Sequence, residues 1–125
     1  MYTVCRFVGL AGSDENLAGI GAALNGVRAG QFERLDRVGG RFSISLSSSD
    51  TWQAHLIAIR EFVHSMSEPI SASVGLGISV EIDVALEPED LVAKDFVSFA
   101  LPSMVLKELG TRGVALVFTS YGQYT

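Results

Sequence analysis

The amino-acid sequence predicts an α+β domain, one mixed or antiparallel sheet with helices packed mainly on one face, and three observations predict it. From Ile78 to Glu87 the chain alternates apolar and polar residues without a break, the period of a strand half-buried in a sheet. From Trp52 to Met66 the residues Trp52, Leu56, Ile59, Val63 and Met66 instead recur at helical spacing. Gly39-Gly40 separates two strand-like arms, a two-residue hairpin signal. Strand and helix material therefore alternates around one core, and 125 residues, 48% hydrophobic and 18% charged, fit one domain spanning 1–125. The preferred architecture is a ferredoxin-like core with an added helix–strand unit; a mixed sheet of different strand order is the alternative.

Taken in order, Tyr2 to Leu10 has the β-branched and aromatic content of a strand. Ser13-Asp14-Glu15-Asn16 offers a polar start with acid in the first turn, and Leu17, Ile20 and Leu24 continue at helical spacing to a stop at Asn25-Gly26. Phe32 to Val38 and Arg41 to Ser47 are the hairpin arms. In the second arm Phe42, Ile44 and Leu46 share one face, and Ser43, Ser45 and Ser47 the other. Asp50-Thr51-Trp52-Gln53 reads as a capping box with Asp50 as the cap. The helix it opens ends at Ser67-Glu68-Pro69, and its stripe is expected to pack on Phe42, Ile44, Ile82 and Val84. Ile70 to Gly77 reads as a looser link into the alternating strand, which Glu87-Pro88-Glu89-Asp90 breaks. Phe96 to Phe99 is a candidate short strand. Pro102 suits the first turn of a last helix with Val105 and Leu109 to pack and Gly110 at its C′ position. Val114 to Phe118 is the final strand.

Composition narrows the function classes. No apolar run approaches the ~18 to 20 residues of a membrane helix, and Met1-Tyr2-Thr3-Val4-Cys5-Arg6 lacks the features of a secretory signal. With Met1 as the native start, a cytoplasmic protein is expected. Cys5 is the only cysteine, so no intrachain disulfide can form, in keeping with a reducing compartment. Net charge is −5 and the sequence pI about 4.9. The one basic cluster, Arg28, Arg34, Arg37 and Arg41, is interrupted by Glu33 and Asp36, so a nucleic-acid partner is not expected. A basic partner is easier to accommodate.

The side chains that could carry chemistry are scattered. Glu81 and Asp83 share a strand face about 6.6 Å apart at the backbone. A glycosidase could use such a pair, but it would also need a sugar cleft. Glu87, Glu89 and Asp90 add acid beyond them without the spacing or glycine of a calcium loop. The readings left open for this face are plain solvation, partner binding and chemistry. His55 and His64 project to different sides of one helix and fit neither HxxxH nor HExxH. Cys5 alternates with Val4 on an apolar strand and reads as a buried structural thiol. The serines from Ser43 to Ser49 include no GxSxG elbow; Ser48-Ser49-Asp50 reads as a turn and cap. Gly9, Gly12, Gly19 and Gly21 match neither GxGxxG nor a P-loop, and Gly75-Leu76-Gly77 precedes a strand where a phosphate loop would follow one. No catalytic residue, cofactor or metal is expected.

The second half of the chain resembles a small bacterial family known as domain of unknown function 4279. The resemblance is carried by Phe42 to Ser48, the Trp52-to-Met66 helix, the Ile78-to-Leu86 strand, Phe99-Ala100-Leu101-Pro102, Leu106 to Gly110, and Val114 to Phe118 with Tyr121. It covers roughly two-thirds of the chain as a pattern of hydrophobics and turns. The family name implies no activity, but the chain is also similar to the small, acidic, cytoplasmic bacterial proteins that neutralise toxins. That similarity implies a non-enzymatic immunity protein occluding a basic toxin domain, with Glu81, Asp83, Glu87, Glu89 and Asp90 as the docking face. A small-molecule-binding regulatory or sensor domain, with its ligand between sheet and helices, and an enzyme with an unrecognised site are the alternatives.

Overall fold

A computed structural model describes residues 1–9, 35–38, 41–87 and 99–120, with side chains for all of these except 35–38 and 42. Among the described residues five strands form one sheet: β1 (Tyr2–Val8), β2 (Leu35–Val38), β3 (Arg41–Ser47), β4 (Ser79–Leu86) and β5 (Val114–Ser120), in the order β2-β3-β1-β4-β5. The described helices are α1 (Trp52–Ser65), α2 (Ser67–Gly75) and α3 (Ser103–Thr111). None is long and apolar enough to cross a membrane.

From β2 to β4 every neighbouring pair is antiparallel, so β1 runs between β3 and β4 and against both. The order β2-β3-β1-β4 is the expected ferredoxin-like arrangement, in which each crossover skips one strand. β5 lies beside β4 and parallel to it. Parallel neighbours need a long crossover, and α3 forms the described part of it; this is the added helix–strand unit. The expected helix from Leu17 to Leu24, the Gly39-Gly40 turn and most of the candidate strand at Phe96 fall outside the described residues. Val38 and Arg41 face each other across the β2–β3 pair, the register a two-residue loop requires.

Alternation along the strands sorts the two faces. Cys5 and Phe7 of β1, Ile44 and Leu46 of β3, and Val80, Ile82 and Val84 of β4 are buried in one cluster with Ile59, Phe62, Val63 and Met66 from α1 and its end. Ile70 of α2 and Val105 and Leu109 of α3 join it. Each such side chain stabilises the fold by roughly 1.5 to 3 kcal/mol, so the shared face outweighs any single cap or turn. The expected stripe is present but wider than its spacing implies. Phe62, off the stripe, is fully buried, Leu56 is buried outside the cluster, and Trp52 sits half-buried at its margin.

Three local expectations are corrected. The cap of α1 is Thr51, not Asp50: Thr51 has the extended backbone a cap needs and accepts from the Ala54 N–H at 3.4 Å, whereas Asp50 stands one residue too early. Pro69 does not end helical structure. It lies in the first turn of α2, where no intrahelical donor is needed, so the segment after Met66 folds as a second helix with Ile70 and Ser73 buried. Gly110 lies within α3, which continues to Thr111, and the left-handed residue after it is Gly113 at φ 72°.

α2 closes as a Schellman motif, with Ile78 N–H donating to Ser73 at 2.9 Å and Gly77 N–H to Val74 at 3.1 Å. Gly77 has φ 80° and open space where a Cβ would stand, so Gly77→Ala is expected to cost about 1 kcal/mol through backbone strain alone. A Cβ on Gly113 would also meet Val74 Cγ1 at 3.2 Å, so Gly113→Ala is expected to cost more. Urea denaturation of both variants checks the ranking.

Trp52 supplies a second test. Its indole N–H donates to the Ala100 carbonyl at 2.8 Å, and its ring centroid lies 5.1 Å from Phe99 and 6.0 Å from Phe118. Trp52→Phe, which removes the donor but keeps a ring, should cost about 1 kcal/mol. Trp52→Ala should cost about 2 to 3 kcal/mol, below the range for a fully buried ring because this one is half-buried. Equal losses for the two variants would show that ring packing contributes little.

Candidate functional site

The sheet face turned away from the described helices is built by alternate residues of β1, β3, β4 and β5. Arg6 of β1 lies directly opposite Glu81 of β4, and Val4 opposite Asp83. On the far side of β4, Val117 of β5 partners Asp83 and Thr119 partners Ala85. Diagonal neighbours on one face are within reach of long side chains, and Arg6 and Thr119 both reach Asp83. Arg6 Nη1 donates to Asp83 Oδ2 at 2.5 Å, and Thr119 Oγ1 donates to Asp83 Oδ1 at 2.8 Å. Both Asp83 oxygens are therefore engaged by donors from the two neighbouring strands.

The same guanidinium nitrogen lies 3.9 Å from Glu81 Oε1. Exposure separates the two carboxylates: the Asp83 side chain is 5% exposed, Arg6 19% and Glu81 33%. Asp83 holds the short, desolvated half of the interaction, and Glu81 the long, partly hydrated half. Two carboxylates thus share one guanidinium, and the formal charge of the trio is −1.

This changes the expected picture of the acidic strand. Asp83 was expected on an exposed acidic face; it is buried against Arg6, and Ala85 beside it is fully buried. Mutual repulsion along β4 is reduced by Arg6, which offsets one of the two charges. Glu87 also has a cationic neighbour, the Met1 amino nitrogen, 3.7 Å from its Oε1. Glu89 and Asp90 lie outside the described residues. The signal for Arg6 is visible in the chain, a lone cation alternating with apolar residues in Tyr2 to Val8, but nothing local says which acid it meets.

The histidines separate as expected. His55 is fully buried, with Nε2 2.6 Å from the Ser49 carbonyl and Nδ1 2.8 Å from Thr3 Oγ1. A carbonyl only accepts, so Nε2 carries a proton, and Thr3 can donate to Nδ1. His55 therefore ties β1 to the turn before α1, and neither nitrogen is available to activate a serine. His64 is exposed on the outer side of α1, its Nε2 3.5 Å from Glu108 Oε1, where Arg60 also reaches at 3.5 Å. Cys5 is buried between its strand partners Ile44 and Ile82. Ser47 Oγ accepts from the Ser49 N–H at 3.4 Å and Ser49 Oγ from the Thr51 N–H at 3.2 Å, so both serve the turn. Among the described residues no three His, Cys, Asp or Glu side chains converge on a point where a metal could sit. No family model, curated protein or solved structure matches the chain.

A desolvated ion pair is costly to break from one side and cheap to remove whole. Asp83→Ala is expected to destabilise by about 3 kcal/mol by removing the short, desolvated contact to Arg6. Arg6→Met alone should do similar damage. Combining Arg6→Met with Asp83→Leu should recover most of the loss, giving a coupling of about 2 kcal/mol in a double-mutant cycle. Additive losses in chemical denaturation would mean the pair contributes nothing specific.

Proposed function

We propose that the protein works by binding rather than catalysis: an immunity protein, of the kind the sequence resembles, that neutralises a basic toxin domain by occlusion in the bacterial cytoplasm. The observation that supports this reading is the unequal sharing of Arg6. Asp83 consumes the guanidinium's short contact, which leaves Glu81 half-exposed with surplus negative charge. A lysine or arginine from a basic partner would complete the set at Glu81. Glu87 extends the acid past the end of β4, and Glu89 and Asp90 follow it in the chain. Asp83 acts as the scaffold that fixes Arg6, not as a contact. Occlusion needs no reacting group, only a complementary patch, and charge at its rim speeds capture.

The test begins by isolating the partner with purified protein as bait, which should yield a basic toxin-domain protein. Association kinetics are then measured at low and high salt. Glu81→Gln should slow association modestly and Glu81→Lys by about tenfold at low salt, with the difference shrinking as salt rises. Glu68→Lys, an exposed change at the start of α2 on the helical side, should leave the rate near wild type. Equal effects at Glu81 and Glu68 would remove the site. A partner that is acidic, or a tightly held small molecule, would remove the immunity reading itself.

A further inference from the structure

We propose that the outer edge of β5 pairs with the same edge of a second copy of this chain, antiparallel and centred on Val117, so that two sheets join into one. β5 is a seven-residue strand at one end of the sheet. Its inner side is paired along its whole length, from Val80 opposite Val114 to Leu86 opposite Ser120, with no break in register. Among the described residues no strand pairs with its outer side. Such an edge is a row of backbone donors and acceptors that templates another strand, and natural sheets blunt it with lysine, proline, bulges or shortness. The β5 sequence VALVFTS contains no charge and no proline. The opposite edge differs on both counts: β2 has four residues and carries Asp36 and Arg37.

Exposed apolar side chains gather at this edge. Phe118 is 43% exposed and Leu106 of α3 49%. On α3, Val105 and Leu109 are buried, while Met104 and Glu108 meet Arg60 of α1 at 3.6 and 3.5 Å. With about 100° between successive residues, Leu106 and Gly110 then lie on the side of α3 turned away from α1. Because α1 packs over β3 and α3 over β5, that side overhangs the outer edge of β5. The uncharged strand edge and the exposed Leu106 beside it present one partly apolar border.

Charge and symmetry select the occupant. The chain carries −5, so two copies repel over most of their surface, yet β5 itself carries no charge of either sign. Along β5 a basic partner finds no acid, and a second copy meets no like charge. Identical strands paired about Val117 set Val117 against Val117, Ala115 against Thr119 and Leu116 against Phe118 of the other copy. Each exposed Phe118 is thereby covered by an aliphatic cross-strand partner, twice over by the two-fold axis. The Arg6–Glu81 face is left open, so this pairing does not depend on the function proposed above.

Sedimentation equilibrium of the full chain over a dilution series should give twice 13.3 kDa at the upper end. Val117→Lys places two ammonium groups opposite each other and should raise the dissociation constant by about tenfold or more. Val117→Thr should leave it near wild type. Leu106→Glu, at an exposed helix position, should weaken the dimer without touching the core. Register is read by cysteine scanning with wild type as the control for buried Cys5. Oxidised Val117→Cys should form a covalent dimer. Ala115→Cys, about 13 Å from its copy in this register, should not. A monomer at every concentration, a dimer indifferent to both Val117→Lys and Leu106→Glu, or cross-linking at Ala115 in preference to Val117 would each overturn the proposal.

Discussion

Asp83 is a carboxylate drawn out of water, and such a group persists in a folded protein only with a cation and donors held beside it. That requirement constrains the whole sheet. Arg6 reaches Asp83 only if β1 lies next to β4 in the observed register, and Thr119 reaches it only if β5 lies on the other side. A slip of β1 by one residue would turn Arg6 toward the helices and Phe7 away from them. The ionic requirement on one face and the hydrophobic requirement on the other therefore select the same register. β1 lies in the middle of the sheet, and the crossover through α1 and α2 must pass over it to deliver β4.

Local pattern carried most of this fold. Alternation in Val80, Ile82 and Val84 predicts which side of β4 joins the core with the helices, and apolar spacing predicts that Ile59 and Val63 face the sheet; both follow from geometry within one element. The misreadings arise where the deciding partner is elsewhere. Pro69 reads as a helix breaker because its missing donor matters inside a helix, but in the first turn of α2 that donor has no role. Asp50 and Thr51 are both capable caps, and backbone conformation chooses the one adjacent to Trp52.

The candidate site was less legible than the fold. Residues at alternate positions of β4 place Glu81 and Asp83 on one face correctly, yet Arg6 is 77 residues from Asp83, and no local rule pairs them. Likewise the hydrogen bond that gives His55 a structural role comes from Thr3, 52 residues away. Sequence pattern assigns faces; only the order of strands assigns neighbours. The neighbour divides two carboxylates of similar chemistry into one that holds the sheet together and one left with charge to offer.

The most direct test of this account is an NMR measurement on Arg6 in the unmodified protein. Held between Asp83 and Glu81, its guanidinium should be restrained, with protons protected from exchange and nuclear Overhauser contacts to the Asp83 β-protons and the Thr119 side chain. A guanidinium that averages freely, exchanges at the solvent-exposed rate and shows contacts to neither residue would contradict the claim that this pair fixes the register of the sheet.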